Sequence, residues 1–351
     1  MRAIINTPKN IIEKGRMHVY HREDNKKANR IRRNIEKEKG KISNRNKNLC
    51  VEYAINILGN KKYAPWLMTY CAHVGEFKEG WIPDNYYGEV VIPKNQGEYG
   101  QICNRNSVIN KLLNDYDTLD ICYYVNNLFL TKDFKILNDN KLVDLLFDNN
   151  KIIVFKIENS LQGKGIYFFD KNSFDINIIR QIGNGVFQKY IEQHPFFKQF
   201  NDSAVATIRL TSTCDNYGNI DVNGGFFKFG RKGDTHVKSV SAIKIPVNIN
   251  DGKLHENAFL PDLSIIKHLP DNDIEFAGMK LPSFDKCLAE IKNMHRNVPF
   301  LRCIGWDIIV DRNDNVAIIE LNGVHNGIWF HEMIDGPCFK ELNWESLHNR
   351  N

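Results

Sequence analysis

Three oxygen-bearing side chains near the C-terminus, Asp307, Glu320 and Asn322, lie in two short apolar runs, RCIGWDIIV (302–310) and VAIIEL (316–321), or just beyond them. The linker DRNDN is rich in turn formers, so the pair predicts an antiparallel hairpin. A four-residue loop from Arg312 to Asn315 would set Asp311 opposite Val316. Asp307 then falls opposite Glu320, and Asn322, two residues further on, points to the same face. Two carboxylates among Ile, Val, Ala and Trp would be poorly solvated and mutually repulsive. A hard divalent cation relieves both costs, and Mg2+ commonly takes one or two carboxylates together with phosphate oxygens and water. An ordinary acidic pair on a surface hairpin is the plainer reading of the same residues.

A second group lies upstream. In KIIVFKIENSLQGKGIYFFD (151–170), Lys156 stands near the end of one strand-like run, and Gly163, Lys164 and Gly165 lead into the next. Glycines let backbone N–H groups approach a polyphosphate, and the lysines add charge. The pattern is not the G-x-x-x-x-G-K-[ST] of strand-to-helix nucleotide-binding loops. A lysine followed by a strand-loop-strand predicts a flap over the phosphates of a nucleoside triphosphate, with a plain glycine hairpin as the alternative. Arg209, inside the apolar run AVATIRLTST (204–213), needs an anionic partner if it is buried. His194 beside Pro195 reads as a loop or supporting residue, and Trp306 reads as core. His325 and His331 follow the hairpin and are candidates for shaping an acceptor pocket.

These features occur in a fixed order. Lys156 and its glycine hairpin come first, VFQKYIEQHP (186–195) follows, and the hairpin ending E-L-N comes last. The arrangement resembles the ATP-grasp superfamily. More narrowly, it resembles the sugar-transfer-associated ATP-grasp proteins of bacterial surface-polysaccharide biosynthesis. The resemblance spans roughly residues 80–340 and is strongest in QKYIEQHP, SAVATIRLTS and CIGWDIIVDRNDNVAIIELNG.

The resemblance implies ATP and Mg2+ as cofactors. It implies Lys156 on the α- and β-phosphates and Gly163, Lys164 and Gly165 as the flap. Gln188, Lys189, Tyr190 and Ile191 would form the hinge at adenine, with Glu192 near the ribose or adenine. Arg209 would stabilise the transferring phosphate, and Asp307, Glu320 and Asn322 would hold Mg2+. The family's early D-K-N motif corresponds to N-R-N here, with Arg105 at the lysine position. After FGRKGD the chain reads HVKSVSAIKIP, where relatives show D-N and then G-G. Arg231 and Lys232 remain there as candidates for holding an anionic substrate.

The elements that must position these groups read as α+β. Short β-type runs dominate from residue 151, and a helix begins after Ser283 with Cys287, Leu288, Ile291 and Met294 at helical spacing. The resemblance implies the ATP-grasp fold, in which two α+β subdomains with largely antiparallel sheets grip ATP, plus an N-terminal extension. The expected domains are a basic arm (1–50), an N-terminal α/β region (51–140), a small subdomain with the flap (141–193) and a C-terminal subdomain with the metal site (194–351). Within 51–140, VEYAINIL and APWLMTYCAHVG read as helices. Residues 81–100 read as a loop with a short strand, and DICYYVNNLFLT reads as a hairpin around Asn126-Asn127.

An apolar share of 42% and a charged share of 25% fit a globular protein. No run approaches the length needed to span a bilayer, and the N-terminus lacks an export signal, so a cytoplasmic location is expected. Eight scattered cysteines without a C-x-x-C pair argue against a zinc site. Residues 1–50 hold 15 Lys and Arg against 5 Asp and Glu, although the whole chain nets only +5. This block reads as a solvated arm, as a peripheral contact with the anionic inner face of a membrane, or as a nucleic-acid contact. The last is disfavoured because no aromatics interleave with the charges.

The leading functional expectation is an ATP-dependent carboxylate–amine ligase. Its substrates would be a small-molecule amine and a carboxylate, with an amino acid joined to a sugar acid of a capsule or O-antigen as the family's setting implies. A kinase on the same scaffold and a non-catalytic nucleotide- or nucleic-acid-binding module are the alternatives.

Overall fold

The computed structural model describes residues 8–113, 119–158, 165–201, 204–231, 241–270 and 274–349. The chain divides into two compact units. One comprises residues 1–95, 262–264 and 327–351, and the other comprises 96–261 and 265–326.

The first unit is helical. Helix α1 (Pro8–Lys39) packs on α3 (Ala64–Val74), with α2 (Asn44–Asn56) alongside. Ser43 caps α2, its Oγ accepting from the N–H of Asn46 at 3.1 Å. Residues 8–50 are therefore not an arm. Ala28, Ile31 and Ile35, with His21 two turns before Ala28, make a buried stripe at helical spacing that the surrounding charges obscure in the sequence. Some of the charges themselves point inward. Lys27 reaches buried Asp84 at 3.3 Å and lies over the rings of Trp66 and Trp329, at 5.1 and 4.7 Å.

Residues 84–95 are helical turns, not a loop with a strand, because Tyr86, Tyr87, Val91 and Ile92 are all buried in this unit. The C-terminal segment, including a short helix Trp329–Ile334, completes the same core. Trp329 packs on Trp66, and Trp344 packs on Tyr87. Buried Glu332 accepts from the N–H groups of Ile82 (2.6 Å) and Cys338 (2.8 Å), fixing one chain end to the other; burial pushes its pKa well up.

The second unit holds two antiparallel sheets. The six-stranded sheet has the order β3-β2-β1-β6-β4-β5. Its strands are β1 (Asp120–Val125), β2 (Leu128–Thr131), β3 (Ile136–Leu137), β4 (Ile152–Ile157), β5 (Ile166–Asp170) and β6 (Gly185–Lys189). Asn126 and Asn127, both at positive φ, turn β1 into β2 as their sequence predicts. Helices α4 (Asp139–Phe147) and α5 (Ile176–Ile182) contribute Leu142, Leu146 and Ile179 to a core with Ile153, Phe155 and Phe187.

The seven-stranded sheet has the order β11-β10-β9-β8-β7-β12-β13. Its strands are β7 (Thr207–Cys214), β8 (Ile220–Phe229), β9 (Ile243–Pro246), β10 (Ala258–Phe259), β11 (Ile265–Ile266), β12 (Cys303–Val310) and β13 (Val316–Asn322). Helix α6 (Phe284–Asn297) covers one face through Cys287, Ile291 and Met294, against Ile208, Leu210, Trp306 and Ile308. Ser283 precedes α6 as expected but does not cap it, donating instead to Asp314 Oδ1 at 2.6 Å.

The α+β class, the two antiparallel sheets and an N-terminal extension are as expected; that the extension is helical is not, and the compact units divide the chain at other places than the expected domains. The six-stranded sheet draws strands from both sides of residue 141, because β1 pairs with β6 across the intervening chain. Residues 327–351 leave the sheet unit because their aromatic side chains complete the helical one.

Candidate active site

The β12–β13 hairpin sets Asp307 opposite Glu320 and Gly305 opposite Asn322. Its turn differs from the simple register. Val310, not Asp311, faces Val316, and Asp311 closes the turn by accepting from the N–H groups of Asn313 and Asn315, both at 2.8 Å. A bulge between Asp307 and Ile308 leaves Ile319 as the extra residue and brings Glu320 back opposite Asp307. Without it, Glu320 would turn toward the core.

Asp307 also faces Arg209 on β7. The guanidinium grips the carboxylate through two bonds, Nε to Oδ1 at 2.6 Å and Nη2 to Oδ2 at 2.7 Å. Arg209 thus finds its anion within the protein, on a residue read from the sequence as a metal ligand. Burial works against the Asp307 carboxylate, but Arg209 and then Lys228 outweigh it and hold its pKa at about 2. Glu320 goes the other way: although its residue is exposed and not poorly solvated as expected, the protein around the carboxyl and then the Asp307 charge push it up. Gly305 makes room for the arrangement: a Cβ there would lie 3.2 Å from Arg209 Nη1 and 3.1 Å from Asn326 Cβ. Asn322 donates weakly to the Gly305 carbonyl at 3.4 Å through its Nδ2.

The same face continues across the sheet. Phe226 pairs with Arg209, Lys228 with Thr207, and Lys244 with Lys228. Lys228 Nζ lies 3.9 Å from Asp307 Oδ2, and Lys244 Nζ sits 5.0 Å from the Phe226 ring centre.

The six-stranded sheet brings Lys156 to this cluster. Burial lowers the Lys156 ammonium to about 8, while Glu320, Asp120 and Asp307, in that order, hold it up. Asp120 heads β1 and is wholly buried, accepting from Gln188 Nε2 at 2.8 Å and from Asn110. Burial raises its pKa against those bonds. Val154, Phe168 and Ile152 alternate onto the face that carries Lys156 and Gln188. Ile152 and Phe168 are exposed there, and Tyr190 meets Phe168 edge-on at 6.3 Å.

The remaining candidates are distributed as follows. Arg105 pairs with the carboxylate of Glu158, just past β4, at 3.6 Å. Gly165 has φ +89° and its carbonyl accepts from the N–H of Ile157 at 3.0 Å; Gly163 and Lys164 lie outside the described residues. Gln188 and Lys189 end β6, and Tyr190, Ile191 and Glu192 lead on toward the hairpin turn. There Glu192 pairs with Arg312 at 2.8 Å and Gln193 exchanges bonds with Ala206. The carbonyl of Arg231 accepts from Asn201 Nδ2 at 3.0 Å. Lys232 and residues 236–240 of the HVKSVSAIKIP stretch are outside the described residues.

His194 caps the helix Pro195–Lys198 by accepting from the Phe196 N–H at 3.1 Å, and Trp306 is core. His325 is exposed in the sheet unit and His331 is buried in the helical one. Among the described residues no group of three or more His, Cys, Asp or Glu side chains suited to a metal occurs; the hairpin offers two carboxylates and an amide. None of the eight cysteines is in a disulfide.

Sequence reasoning missed Asp120, Lys228 and Lys244. Each carried a usable signal, since FFKF and IKIP place a lone lysine inside an apolar strand, and Asp120 heads the apolar run DICYYV.

Residues 177–345 match the family model described as sugar-transfer associated ATP-grasp, which bears out the resemblance drawn from the sequence. No curated protein matches the chain. Among solved structures it is similar to the ATP-grasp ligase PsnB complexed with minimal precursor, at 12% identity and TM-score 0.42 over 72% of this chain and 64% of that one. It is similar to the biotin carboxylase domain of 2-oxoglutarate carboxylase from Hydrogenobacter thermophilus, in complex with MgADP, ADP and bicarbonate, at 11% and 0.38 over 78% and 49%. A third is the biotin carboxylase–β-γ-ATP complex from Campylobacter jejuni, at 12% and 0.45 over 91% and 68%. The chain thus spans about half to two thirds of the length of these structures.

Proposed function

We propose that this chain is an ATP-dependent carboxylate–amine ligase that forms an amide through an acyl phosphate. The observation that carries the reading is the convergence of Lys156 on Glu320 and Asp307, with Arg209 alongside. A half-buried lysine and two facing carboxylates from separate sheets are what a metal–triphosphate complex requires at its two ends. In this reading Lys156 binds the α- and β-phosphates and the exposed Ile152, Phe168 and Tyr190 lie where an adenine would stack. The hinge Gln188–Ile191 and the flap Gly163–Gly165 complete the nucleotide site, with Arg105 and Glu192 at its edge.

The donor set fits Mg2+: two carboxylates in register and an amide oxygen are hard ligands, and the raised pKa of Glu320 marks a pair that gains from a cation. Asp307, Glu320 and Asn322 would hold it, with Asp307 sharing its carboxylate with Arg209. Such an ion would neutralise charge on the phosphates. A substrate carboxylate oxygen attacks the γ-phosphorus, and the bond to the leaving ADP breaks. Arg209 and Lys156 stabilise the charge that shifts during this step. An amine then attacks the acyl carbon, phosphate leaves, and the nitrogen gives up a proton. Arg231 is a candidate for holding the acceptor.

The substrates we propose are an amino acid or other amine and a sugar acid of a surface polysaccharide, handled in the cytoplasm at the inner face of the membrane. Among the described residues no helix is long and apolar enough to cross a membrane. The support for peripheral contact is on α1: Arg22, Lys26, Arg30, Arg33 and Lys37 are exposed or nearly so along one side of the helix, over about 22 Å.

The test is to incubate the protein with ATP and Mg2+ against panels of amino acids and uronic acids. ADP and phosphate released only with both partners present supports ligation. AMP release, or phosphate retained on a hydroxyl of the product, counts against it, the latter in favour of a kinase.

A further inference from the structure

The seven-stranded sheet holds a second polar group beyond Arg209, on the side away from Glu320. Thr207, Lys228 and Lys244 form one row across β7, β8 and β9, each the direct cross-strand partner of the next. They share the face of Asp307, Arg209 and Glu320, since Thr207 is two residues from Arg209 and Lys228 two from Phe226. The opposite face is the helix-covered core of Ile208, Phe227 and Ile245.

Two features of this row bear on what it could hold. Like charges directly opposite on adjacent strands destabilise a sheet. Lys228 and Lys244 are such a pair, next to the last residue of β8 and the first of β9, in apolar runs, FFKF and IKIP, where nothing in the pattern calls for charge. The second feature is Thr207. It is 7% exposed and its hydroxyl has no hydrogen-bond partner. A buried hydroxyl without a partner costs stability, and in a native protein such a group marks a place for a ligand or water. A hydroxyl donor beside two ammonium groups is the recognition chemistry of an oxyanion.

Position narrows which oxyanion. Across the sheet the order is Glu320, Asp307, Arg209, then Lys228 and Lys244. With strands about 4.8 Å apart, Lys244 on β9 starts about 14 Å from Asp307 on β12. Of the charges acting on Lys156, Glu320 and Asp307 stand at the other end of that order. In strand order the lysine row and the carboxylates that act on Lys156 thus flank Arg209, the group that would meet the phosphoryl in transit, while the Lys228 side chain reaches back to Asp307.

We propose that Thr207, Lys228 and Lys244 form the subsite that holds the substrate's carboxylate, a proposal that rests on the ligase reading above. Lys228 bridges the two ends, since it lies within 3.9 Å of Asp307. The lysines draw the carboxylate in, and the Thr207 hydroxyl orients one oxygen toward the phosphoryl donor.

The test uses the full chain and lysine acetylation followed by mass spectrometry, with sodium succinate, inorganic phosphate and MgATP as separate probes. Succinate is expected to slow labelling of Lys228 and Lys244 several-fold while leaving exposed Lys253 unchanged. Thr207→Val should raise the succinate concentration needed by about tenfold, and Lys244→Met should abolish protection of Lys228 without changing MgATP affinity by more than about twofold. Protection by MgATP or phosphate but not by succinate overturns the proposal, assigning the row to the nucleotide. No protection by any probe overturns it as well. The ligase reading fails separately, if MgATP does not bind, or binds equally well to Lys156→Met. Succinate protection would survive that result.

Discussion

Strands β7 and β12 carry a polar cluster on each face, and the two are built on opposite rules. On the core face, Trp306 Nε1 donates to Ser212 Oγ at 2.7 Å, Ser212 meets His295 Nδ1 at 2.7 Å, and His295 Nε2 meets the Leu301 carbonyl at 2.6 Å. A carbonyl only accepts, so Nε2 carries the proton and Nδ1 accepts from the serine. The chain is neutral, and each link has a partner. On the other face stand Asp307, Arg209, Lys228 and Glu320, with Lys156 and Asp120 brought in from the second sheet. That cluster is charged, its pKa values are displaced in both directions, and Thr207 beside it is unanswered. The first kind of cluster fixes a fold. The second keeps stability in reserve for something it binds.

The largest expected effect comes from removing the charged cluster's one tight pair. Arg209→Met leaves Asp307 buried without its counterion and should cost about 3–5 kcal/mol, read from urea denaturation, along with turnover. Adding Asp307→Asn should return most of the stability but none of the activity. If the single variant unfolds at the wild-type midpoint, the pair is not what holds these strands in place.

How much of this was legible in the sequence follows from the periodicities. Strands alternate with period two, so the runs around Arg209, Asp307 and Glu320 announced themselves, and with them the facing of Asp307 and Glu320. The bulge at Ile319 did not, since one extra residue in a strand has no signature in residue type. Nor did the Arg209–Asp307 pair, because strand order, with β7 beside β12, is a long-range property. The helical unit was the least legible. A stripe of Ala28, Ile31 and Ile35 is narrow, and the charges of α1 outnumber it. The tie between residues 1–95 and 327–351 depends on aromatic packing between chain ends, which no local pattern reveals.

The neutral cluster should break with pH. Burial lowers His295 from 6.5 to about 4. Between those values the unfolded state binds the proton and the folded state does not, so stability is full above pH 6.5 and falls as the pH drops toward 4. The loss should reach about 3 kcal/mol. Urea midpoints measured across that range should fall for the wild type and fall less for His295→Gln. Parallel slopes would mean that His295 is not the titrating group.

Lys156 inverts the relation between stability and function. Its folded pKa, about 8, lies below the ordinary 10.5, so at neutral pH the half-buried charge opposes folding. Lys156→Met should stabilise the protein by about 1–3 kcal/mol, yet lower ATP turnover about a hundredfold. MgATP affinity in the wild type should weaken as pH rises through about 8 while the lysine loses its proton, and the variant should show no such step. A variant that is less stable than the wild type would place Lys156 with the structural groups instead.

The smallest effect should come from Gly305, and it separates geometry from charge. Ala at this position puts a methyl 3.2 Å from Arg209 Nη1 and 3.1 Å from Asn326 Cβ, so the guanidinium must give by a few tenths of an ångström. Every charge remains. The core face is untouched, because the added methyl points away from Trp306 and Ser212. Stability should change by no more than about 1 kcal/mol, while turnover falls several-fold because Arg209 no longer meets the phosphoryl group at the right angle. A replacement that leaves turnover unchanged would mean that Arg209 acts only as the Asp307 counterion. The charged cluster would then be held together like its neutral counterpart, and the contrast between the two faces would rest on Lys156 alone.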